Sequence, residues 1–333
     1  MVTIKEISKI SGYSQSTISR LFKNDPSLSI TQETKENIIN TALSLGYDRA
    51  KIHAPLYKIG ILFWLPKGQA MEDIYFTQIR DALLEYGKKL NMEMTILTEH
   101  DEIKNLSKNF SGFIAIGEIT KEDLQLLYDQ SMKGVVLEIN PLPYLFDTVK
   151  PDTDFCIKNS IDILINNGIK KIGFLGGKFH NPQTNLYELD SREVTFRSYM
   201  KKLNLLKENY IFSEGKFTVE QGYNLACKMS DTLEENLPEA CVIASDTLAV
   251  GALQGFHEKK IILPQDMKII SINDYEISKF VSPPLTTYHI DTQEMAKTAI
   301  DLLSDQLIYQ RKINKTVLLG STLVIRKSFI PSD

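Results

Sequence analysis

The 333-residue sequence lacks several features that would place it in a specialised class of protein. It has no run of about 18 apolar residues, which excludes a transmembrane helix, and its polar N-terminus lacks the apolar segment of a signal peptide. It has only three cysteines, at spacings that fit neither a disulfide framework nor a zinc site. We therefore expect a cytoplasmic protein with free thiols and no membrane partner.

Motifs for catalysis and for metal binding are also missing. The five histidines are not at metal-ligand spacing, and neither HExxH, CxxC nor Gly-x-Ser-x-Gly occurs. Gly176–Gly177–Lys178 follows a strand-like run but lacks the upstream glycine and the following Ser or Thr of a phosphate-binding loop. We expect no enzymatic activity, no cofactor and no metal site.

Length and charge favour a soluble protein of two or three modules. The composition, 43% hydrophobic and 24% charged residues, is that of ordinary globular proteins. The net charge is −4, and residues 1–50 carry six basic and five acidic side chains. Such a weakly basic segment can neutralise few DNA phosphates. If it binds DNA, we therefore expect that two copies are needed, in a homodimer.

Three short helices are predicted in residues 1–47. Apolar residues recur at helical spacing in each, and a hydroxyl residue or a glycine stands at each cap position. The apolar positions are Ile4, Ile7, Ile10, Ile18, Leu21, Phe22, Ile38, Ile39, Ala42 and Leu45, and the caps are Thr3 (with Glu6), Gly12, Ser14, Ser29 or Thr31, and Gly46. Two short helices joined by a tight turn have helix-turn-helix geometry.

The second of these helices carries polar side chains on its exposed face. Gln15, Ser16, Ser19 and Arg20 can form hydrogen bonds to base edges or to phosphates. The pattern alone leaves two interpretations open, a DNA reader and a solvated helix pair, because such turns also occur in proteins that bind no DNA.

Four segments of this head follow one another in a fixed order: TIKEISKISG, YSQSTISR, NDPSLS and ETKENIINTALSLGY. Together they resemble the DNA-binding head of the LacI/GalR family of bacterial transcription regulators. The resemblance implies that Gln15 and Ser16 select the sequence of a double-stranded operator and that Arg20 contacts a guanine edge. The other DNA-binding positions that it implies are Ser14, Thr17 and Ser19 at phosphates, with Thr3 and the turn residue Asn24.

Residues 48–58, DRAKIHAPLYK, form the expected linker. In the family that the head resembles, a basic linker folds into a hinge helix on DNA and inserts a leucine into the minor groove. Here the linker is shorter, lacks the Arg-Pro-Asn start, and contains Pro55, which opposes a continuous helix. We therefore expect a plain tether, with Leu56 as a weak candidate for the inserted residue.

Residues 59–333 change to strands alternating with amphipathic helices, a pattern that predicts parallel βαβ units. The strand-like runs are IGILFWL, MEMTIL, GFIAIG, GVVLEI, KIGFLGG, ACVIAS and KIISIN, and the helical patterns are Tyr75–Leu90, Lys121–Met132, Phe155–Asn167, Arg192–Leu203, Val219–Leu233 and Leu248–Glu258. This number of units suits two doubly wound sheets. KKIGFLGG, ASDTLAVGAL, SIND, SPPLTT and STLVIRKS resemble the core of the same regulators.

The resemblance implies an N-terminal all-α helix-turn-helix head followed by a two-lobed, periplasmic-binding-protein-like α/β core with parallel doubly wound sheets. The expected domains are the head at 1–47, the linker at 48–58 and an effector-binding and dimerisation domain at 59–333. Lobe 1 is expected at 59–154 and 289–319, and lobe 2 at 155–288 and 320–333. The C-terminal sequence has no heptad segment, which favours a dimer over a tetramer.

Polar and aromatic residues follow several predicted strands, where open α/β sheets bind ligands. A sugar offers hydroxyls that donate and accept hydrogen bonds and an apolar C–H face, which suits Arg192, Asn273 and Phe217. The resemblance implies those roles for a sugar bound between the lobes, with Tyr75 and Phe76 lining the near lobe. The further candidates are Asp73, Ser245 and Asp246, and the last is also open to a purely structural role at a helix start.

These inferences predict a repressor of a sugar-utilisation operon that a small sugar controls. Galactose or a galactoside is expected, because the head and residues 73–80 most resemble the galactose-operon branch. The alternative is a sugar-binding sensor or transport-type protein that does not act through DNA. A sugar-processing enzyme would need a catalytic pair of side chains, and the sequence offers none.

Overall fold

The computed structural model describes residues 2–54, 57–65 and 72–331, apart from the side chains of Ala50, Glu72 and Asp73. In chain order the helices are α1 (Ile4–Ser11), α2 (Gln15–Phe22), α3 (Gln32–Ser44), α4 (Glu72–Lys89), α5 (Leu106–Asn109), α6 (Lys121–Asp129), α7 (Thr153–Asn166), α8 (Ser191–Lys202), α9 (Val219–Leu233), α10 (Asp246–Glu258) and α11 (Thr292–Tyr309). The strands are β1 (Lys58–Trp64), β2 (Glu93–Leu97), β3 (Gly112–Gly117), β4 (Lys133–Leu137), β5 (Asp147–Pro151), β6 (Ile172–Gly176), β7 (Lys178–Asn181), β8 (Leu186–Leu189), β9 (Ile211–Ser213), β10 (Ala240–Ile243), β11 (Lys268–Asn273), β12 (Thr286–His289), β13 (Thr316–Leu319) and β14 (Thr322–Val324).

The helices of the head begin and end where the cap residues predict. Thr3 and Glu6 form the predicted capping box, Gly12 ends α1 in the left-handed region, and Ser14 and Thr31 cap α2 and α3. The buried side chains between the helices are Ile7, Ile18, Leu21, Phe22, Ile38, Ile39, Ala42 and Leu43.

One apolar position of the head was predicted wrongly. Ile10 is 62% exposed, whereas Ile7 is fully buried. Each three-residue step falls short of a full helical turn by about 60°, so Ile4 and Ile10 lie on opposite flanks of Ile7. The buried stripe of α1 is narrower than its spacing suggests.

The first compact unit comprises Met1–Lys67, Phe76–Lys150 and Thr292–Val317, and so includes the head. Its six-stranded sheet has the order β13-β5-β4-β3-β1-β2, and the strands from β5 to β2 are parallel. Apolar runs such as β3 are almost wholly buried, as parallel strands covered on both faces require. Strands β5 and β13 and helix α11 were not predicted.

The second compact unit comprises Gly68–Tyr75, Pro151–Asp291 and Leu318–Asp333. Its sheet has the order β14-β12-β11-β10-β6-β9, with only the β12–β14 pair antiparallel. The hairpin of β7 and β8 follows β6 and was not predicted, because all its side chains are partly or fully exposed and no alternation marks it.

Helices α9 and α10 of the second unit pack backbone to backbone. A Cβ atom on Gly251 would lie 1.8 Å from the carbonyl oxygen of Val219, and one on Gly222 would lie 2.0 Å from that of Leu248. Only glycine permits so close an approach, which fixes the position of α10 and of the residues at its N-terminus.

Candidate DNA-reading head and effector site

The exposed face of α2 presents the side chains predicted to read DNA. Gln15 and Ser16 are exposed and Ser19 is half-buried, while Ile18 on the opposite face is fully buried. Ser14 accepts a hydrogen bond from the backbone N–H of Thr17, and its hydroxyl lies 2.8 Å from those of Ser16 and Thr17. The N-terminus of α2 therefore carries a cluster of hydroxyl groups together with its exposed backbone donors, an arrangement suited to phosphate oxygens.

Arg20 is held in place by the loop that follows α2. Its Nε donates to Oδ2 of Asp25 at 2.8 Å, and its Nη2 donates to the hydroxyl of Ser27 at 2.8 Å. Asn24 adopts the left-handed conformation, with φ of 54°, and turns the loop back toward the helix. Hydrogen bonds from Ser27 first, and from Arg20 second, hold the pKa of Asp25 well below its usual range. The guanidinium is thereby fixed at the edge of the reading face.

The linker is not the plain tether that we expected. Ile52, Ala54 and Tyr57 are almost fully buried within the first unit, and Arg49–Lys51 form a single 3₁₀ turn. The backbone N–H of His53 donates to the carbonyl of Phe22 at 2.7 Å. These three side chains pack into the core of the first unit, so the described residues of the linker are held in place. Pro55 and Leu56 lie outside the described residues.

The head itself packs on the rest of the first unit through α3 and the linker. Helix α3 contacts α11, and the hydroxyl of Ser111 donates to Oε1 of Glu36 at 2.9 Å. The Tyr57 hydroxyl donates to Oδ1 of Asn40, and Arg49 Nη2 donates to the carbonyl of Leu90 at 3.3 Å. These contacts use α3 and leave the exposed face of α2 uncovered.

Arg192 is the centre of the candidate effector site in the second unit. It lies in the first turn of α8 and is paired with Asp190, the N-cap, through Nε at 2.7 Å and Nη2 at 2.9 Å. Its Nη1 donates to the carbonyl of Ala244, directly after β10, at 2.8 Å. The guanidinium also stacks over the ring of Phe217, 4.4 Å from the ring centroid. Arg192 and Phe217, the latter only 8% exposed, therefore form one packed platform.

Sequence reasoning missed Asp190, which orients this platform. Burial alone would raise the pKa of Asp190, but the charge and hydrogen bonds of Arg192 outweigh it and lower the pKa. The sequence carries a signal for it, because an aspartate two residues before the start of a helical pattern is an N-cap candidate.

Asn273 stands at the carboxyl end of β11, the strand next to β10. Its φ of 122° is one that L residues rarely adopt, and its Oδ1 atom is buried without a hydrogen-bond partner. Asn273, with its strained backbone and unsatisfied amide oxygen, therefore lies at the edge where open parallel sheets bind ligands and is a candidate for the effector site.

Asp246 has the structural role at a helix start that the sequence left open, and Ser245 is the N-cap before it. Asp246 is fully buried and accepts four hydrogen bonds, from the hydroxyls of Ser271, Ser278 and Thr287 and the backbone N–H of Tyr275. These contacts leave no acceptor position for a ligand. Ser245, rather than Asp246, is the N-cap of α10, because its backbone is extended and its hydroxyl accepts from the backbone N–H of Leu248 at 3.3 Å.

The remaining predicted effector residues lie on α4. Tyr75 is buried and Phe76 is half-buried. The side chain of Asp73 lies outside the described residues. Within the described part of the chain, no helix is long and apolar enough to cross a membrane. In the same part, no three His, Cys, Asp or Glu side chains cluster as a metal site would require.

Comparison with known proteins identifies the family. A family model described as periplasmic binding protein-like domain matches residues 161–329. The HTH-type transcriptional regulator GanR of Bacillus subtilis (strain 168) is 43% identical over 329 residues, which span 98% of this chain and 99% of that protein. The chain belongs to the LacI/GalR family of transcription regulators. The regulator LacR of Lactobacillus helveticus is 41% identical over the full length of both proteins.

Solved structures of LacI-type regulators share the fold. The lac repressor dimer bound to operator and the anti-inducer ONPF has a TM-score of 0.70 at 19% identity, over 98% of both chains. The complex of the transcriptional regulator CelR with cellobiose has a TM-score of 0.68 at 16% identity, over 99% of this chain and 100% of that one. As a member of the LacI/GalR family, the chain is a DNA-binding transcription regulator and not an enzyme.

Proposed function

We propose that this regulator is a homodimeric repressor of a sugar-utilisation operon, and that a small sugar, galactose or a galactoside, controls its binding to operator DNA. The observation that carries the proposal is the platform of Arg192 and Phe217, which Arg192 joins to the end of β10, together with the unsatisfied amide of Asn273 at the end of the neighbouring strand β11. A guanidinium and an amide suit sugar hydroxyls, and an aromatic ring suits the C–H face. The choice of galactose rests on the resemblance of the head and residues 73–80 to the galactose-operon branch.

In the head, Gln15 and Ser16 read the base sequence and Arg20 reads a guanine edge. Asp25 and Ser27 hold Nε and Nη2 of Arg20, so the guanidinium is oriented before DNA arrives and loses little side-chain freedom on binding. Ser14, Thr17 and Ser19 contact phosphates, and Thr3 and Asn24 support the same interface. The near-balanced charge of the head gives one copy little non-specific affinity, so a dimer with two heads supplies the rest.

Control of the heads passes through the packed linker. Because α3 is seated on α11 and on Ser111, a movement of the first unit carries its head along without a hinge helix. A coupling of about 1–3 kcal/mol between sugar and operator binding would suffice for regulation.

A thermal-shift panel tests the sugar. Galactose and lactose should raise the melting temperature of the wild-type protein, whereas glucose, ribose and sugar phosphates should leave it unchanged, because ligand binding stabilises only the native state. Galactose or lactose should also release operator DNA in a fluorescence-anisotropy titration. Arg192→Lys, which keeps the charge but loses the planar fork, should abolish both responses. A panel that is flat for every sugar would contradict the proposal.

A further inference from the structure

Two successive residues at the end of β11, Asn273 and Asp274, adopt backbone conformations that L side chains disfavour. The φ angles of Asn273 and Asp274 are 122° and 57°, and neither residue is a glycine. Such conformations cost about 1–3 kcal/mol each and persist only where the surroundings impose them. Asn273 gains no hydrogen bond at Oδ1 in return. The side-chain oxygen of Asn273 therefore does not hold this conformation, and its backbone carbonyl accepts from the N–H of Ile290 at 3.3 Å.

The carboxylate of Asp274 interacts with two side chains, Arg326 and His289. Nη2 of Arg326 donates to its Oδ1 at 2.6 Å, and Nδ1 of His289 lies 3.2 Å from its Oδ2. The pair of Arg326 and Asp274 is nearly buried, with side chains 14% and 11% exposed. An ion pair with so little solvent around it holds its geometry more strictly than a surface pair does.

Arg326 is itself fixed to the strand beside β11. Its Nη1 donates to the carbonyl of Leu285 at 2.9 Å, and its backbone N–H donates to the hydroxyl of Thr286 at 2.8 Å. It therefore spans from the segment after β14, across β12, to the end of β11. Asp274 is tied to the sheet and cannot follow a relaxation of Asn273.

The same loop is anchored from its other side by Asp246. The carboxylate of Asp246 accepts from the backbone N–H of Tyr275 at 2.9 Å and from the hydroxyl of Ser278 at 2.6 Å. Residues 274–278 are thus held between the N-terminus of α10 and the C-terminal segment, and Asn273 lies just before the held stretch.

We propose that Arg326, acting through Asp274, is a positioning residue for the effector, because it holds Asn273 in the strained conformation that presents its amide to the sugar. The inference rests on the proposed role of Asn273 in sugar binding. The ion pair has a stabilising role as well, but an ion pair that only stabilised the fold would not need a strained, unsatisfied neighbour.

Arg326→Met tests this role, since it keeps the length of the side chain and removes its charge and donors. In the ligand-free protein, amide hydrogen exchange of residues 273–278 should rise. The affinity for galactose and lactose, measured by calorimetry, should fall by about tenfold or more, a difference of roughly 1.4 kcal/mol. Operator affinity without sugar should stay within about twofold of the wild-type value, and Arg326→Lys should recover part of the sugar affinity.

Two further variants separate positioning from stability. Arg311→Met removes the partner of Asp147, another buried carboxylate, in the first unit, and should lower the melting temperature without affecting sugar affinity. Asn273→Gly tolerates a positive φ without strain, so adding Arg326→Met to it should cause no further loss of sugar affinity.

Three results would overturn the proposal: unchanged exchange in residues 273–278, raised exchange with unchanged sugar affinity, or an equal loss of affinity in Arg311→Met. If the wild-type protein binds neither galactose nor lactose, the proposed effector is wrong, and this result alone does not refute the positioning role of Arg326. The exchange comparison would then decide by itself whether Arg326 controls the conformation at Asn273.

Discussion

The DNA-reading face of α2 depends on contacts between residues close in sequence. The effector edge, the end of the second unit's sheet that carries Arg192 and Asn273, depends on contacts between residues far apart in sequence. Around Arg20, every hydrogen bond of the side chain joins residues at most seven positions apart. At the effector edge, Arg192 reaches 52 positions to Ala244, Arg326 reaches 52 to Asp274, and Asp246 reaches 41 to Thr287. The reading face of α2 is therefore set by residues close in sequence, whereas the effector edge exists only when the second unit is folded.

The largest expected effect comes from removing the long-range hydrogen bonds of Asp246 at the effector edge. Asp246→Ala leaves three hydroxyls and a backbone N–H without their buried acceptor. The free energy of unfolding should fall by roughly 4 kcal/mol or more, because each of the four unsatisfied buried groups costs about 1–3 kcal/mol. Chemical denaturation of the full chain measures this. Asp231→Ala, which removes an exposed ion-pair partner, is the control and should change little.

The pH dependence of stability gives a second readout for Asp246. Burial raises the pKa of Asp246, and its hydrogen bonds only partly offset this effect. A raised folded-state pKa means that this residue favours the native state most below the ordinary Asp range and loses that contribution as the pH rises through the folded pKa. Asp246→Ala should remove this loss. An unchanged stability-against-pH curve would contradict it.

The next largest effect is expected from removing Arg20 on the DNA-reading face. Arg20→Ala should weaken specific operator binding by about 1–3 kcal/mol, the usual value of a bidentate contact to guanine. Non-specific binding at the same salt concentration should fall much less. Arg20→Lys keeps the charge and should restore non-specific but not specific affinity. Equal losses on both kinds of DNA, in an electrophoretic or anisotropy titration, would exclude base reading by Arg20.

This difference in range also explains what the sequence could predict. The caps of α1, α2 and α3, the left-handed Gly12 and the central strands follow from neighbouring residues, and they were predicted correctly. The burial of the linker, the four bonds of Asp246 and the pairing of Asp274 with Arg326 depend on residues that are distant in sequence, and no local pattern announces them. Sequence could name Arg192 and Asn273 as candidates but not the residues that orient them.

The contact between Tyr57 and Asn40, which attaches the head to the rest of the first unit, is intermediate in sequence separation. Tyr57→Phe tests its contribution. The change removes only the hydroxyl that donates to Asn40, across 17 positions. It should cost about 0.5–1.5 kcal/mol and should raise hydrogen exchange in α3 more than in β3. Tyr144→Phe, at a tyrosine that is 70% exposed, is the matched control. Unchanged exchange in α3 would show that the head is not held through this contact.

The smallest effect concerns the loop that orients Arg20. Hydrogen bonds from Ser27 and then Arg20 lower the pKa of Asp25, so its carboxyl should titrate below the ordinary Asp range in a carbon-detected NMR titration. Since the folded-state pKa is lowered, this contribution to the stability of the head is present above the ordinary Asp pKa and disappears as the pH falls through the folded value. Ser27→Ala should shift the titration toward the ordinary range more than Arg20→Ala does, because Ser27 is the larger cause. If Ser27→Ala left the titration of Asp25 unchanged but weakened operator binding, Ser27 would act on DNA directly, and the orientation of Arg20 would depend on Asp25 alone.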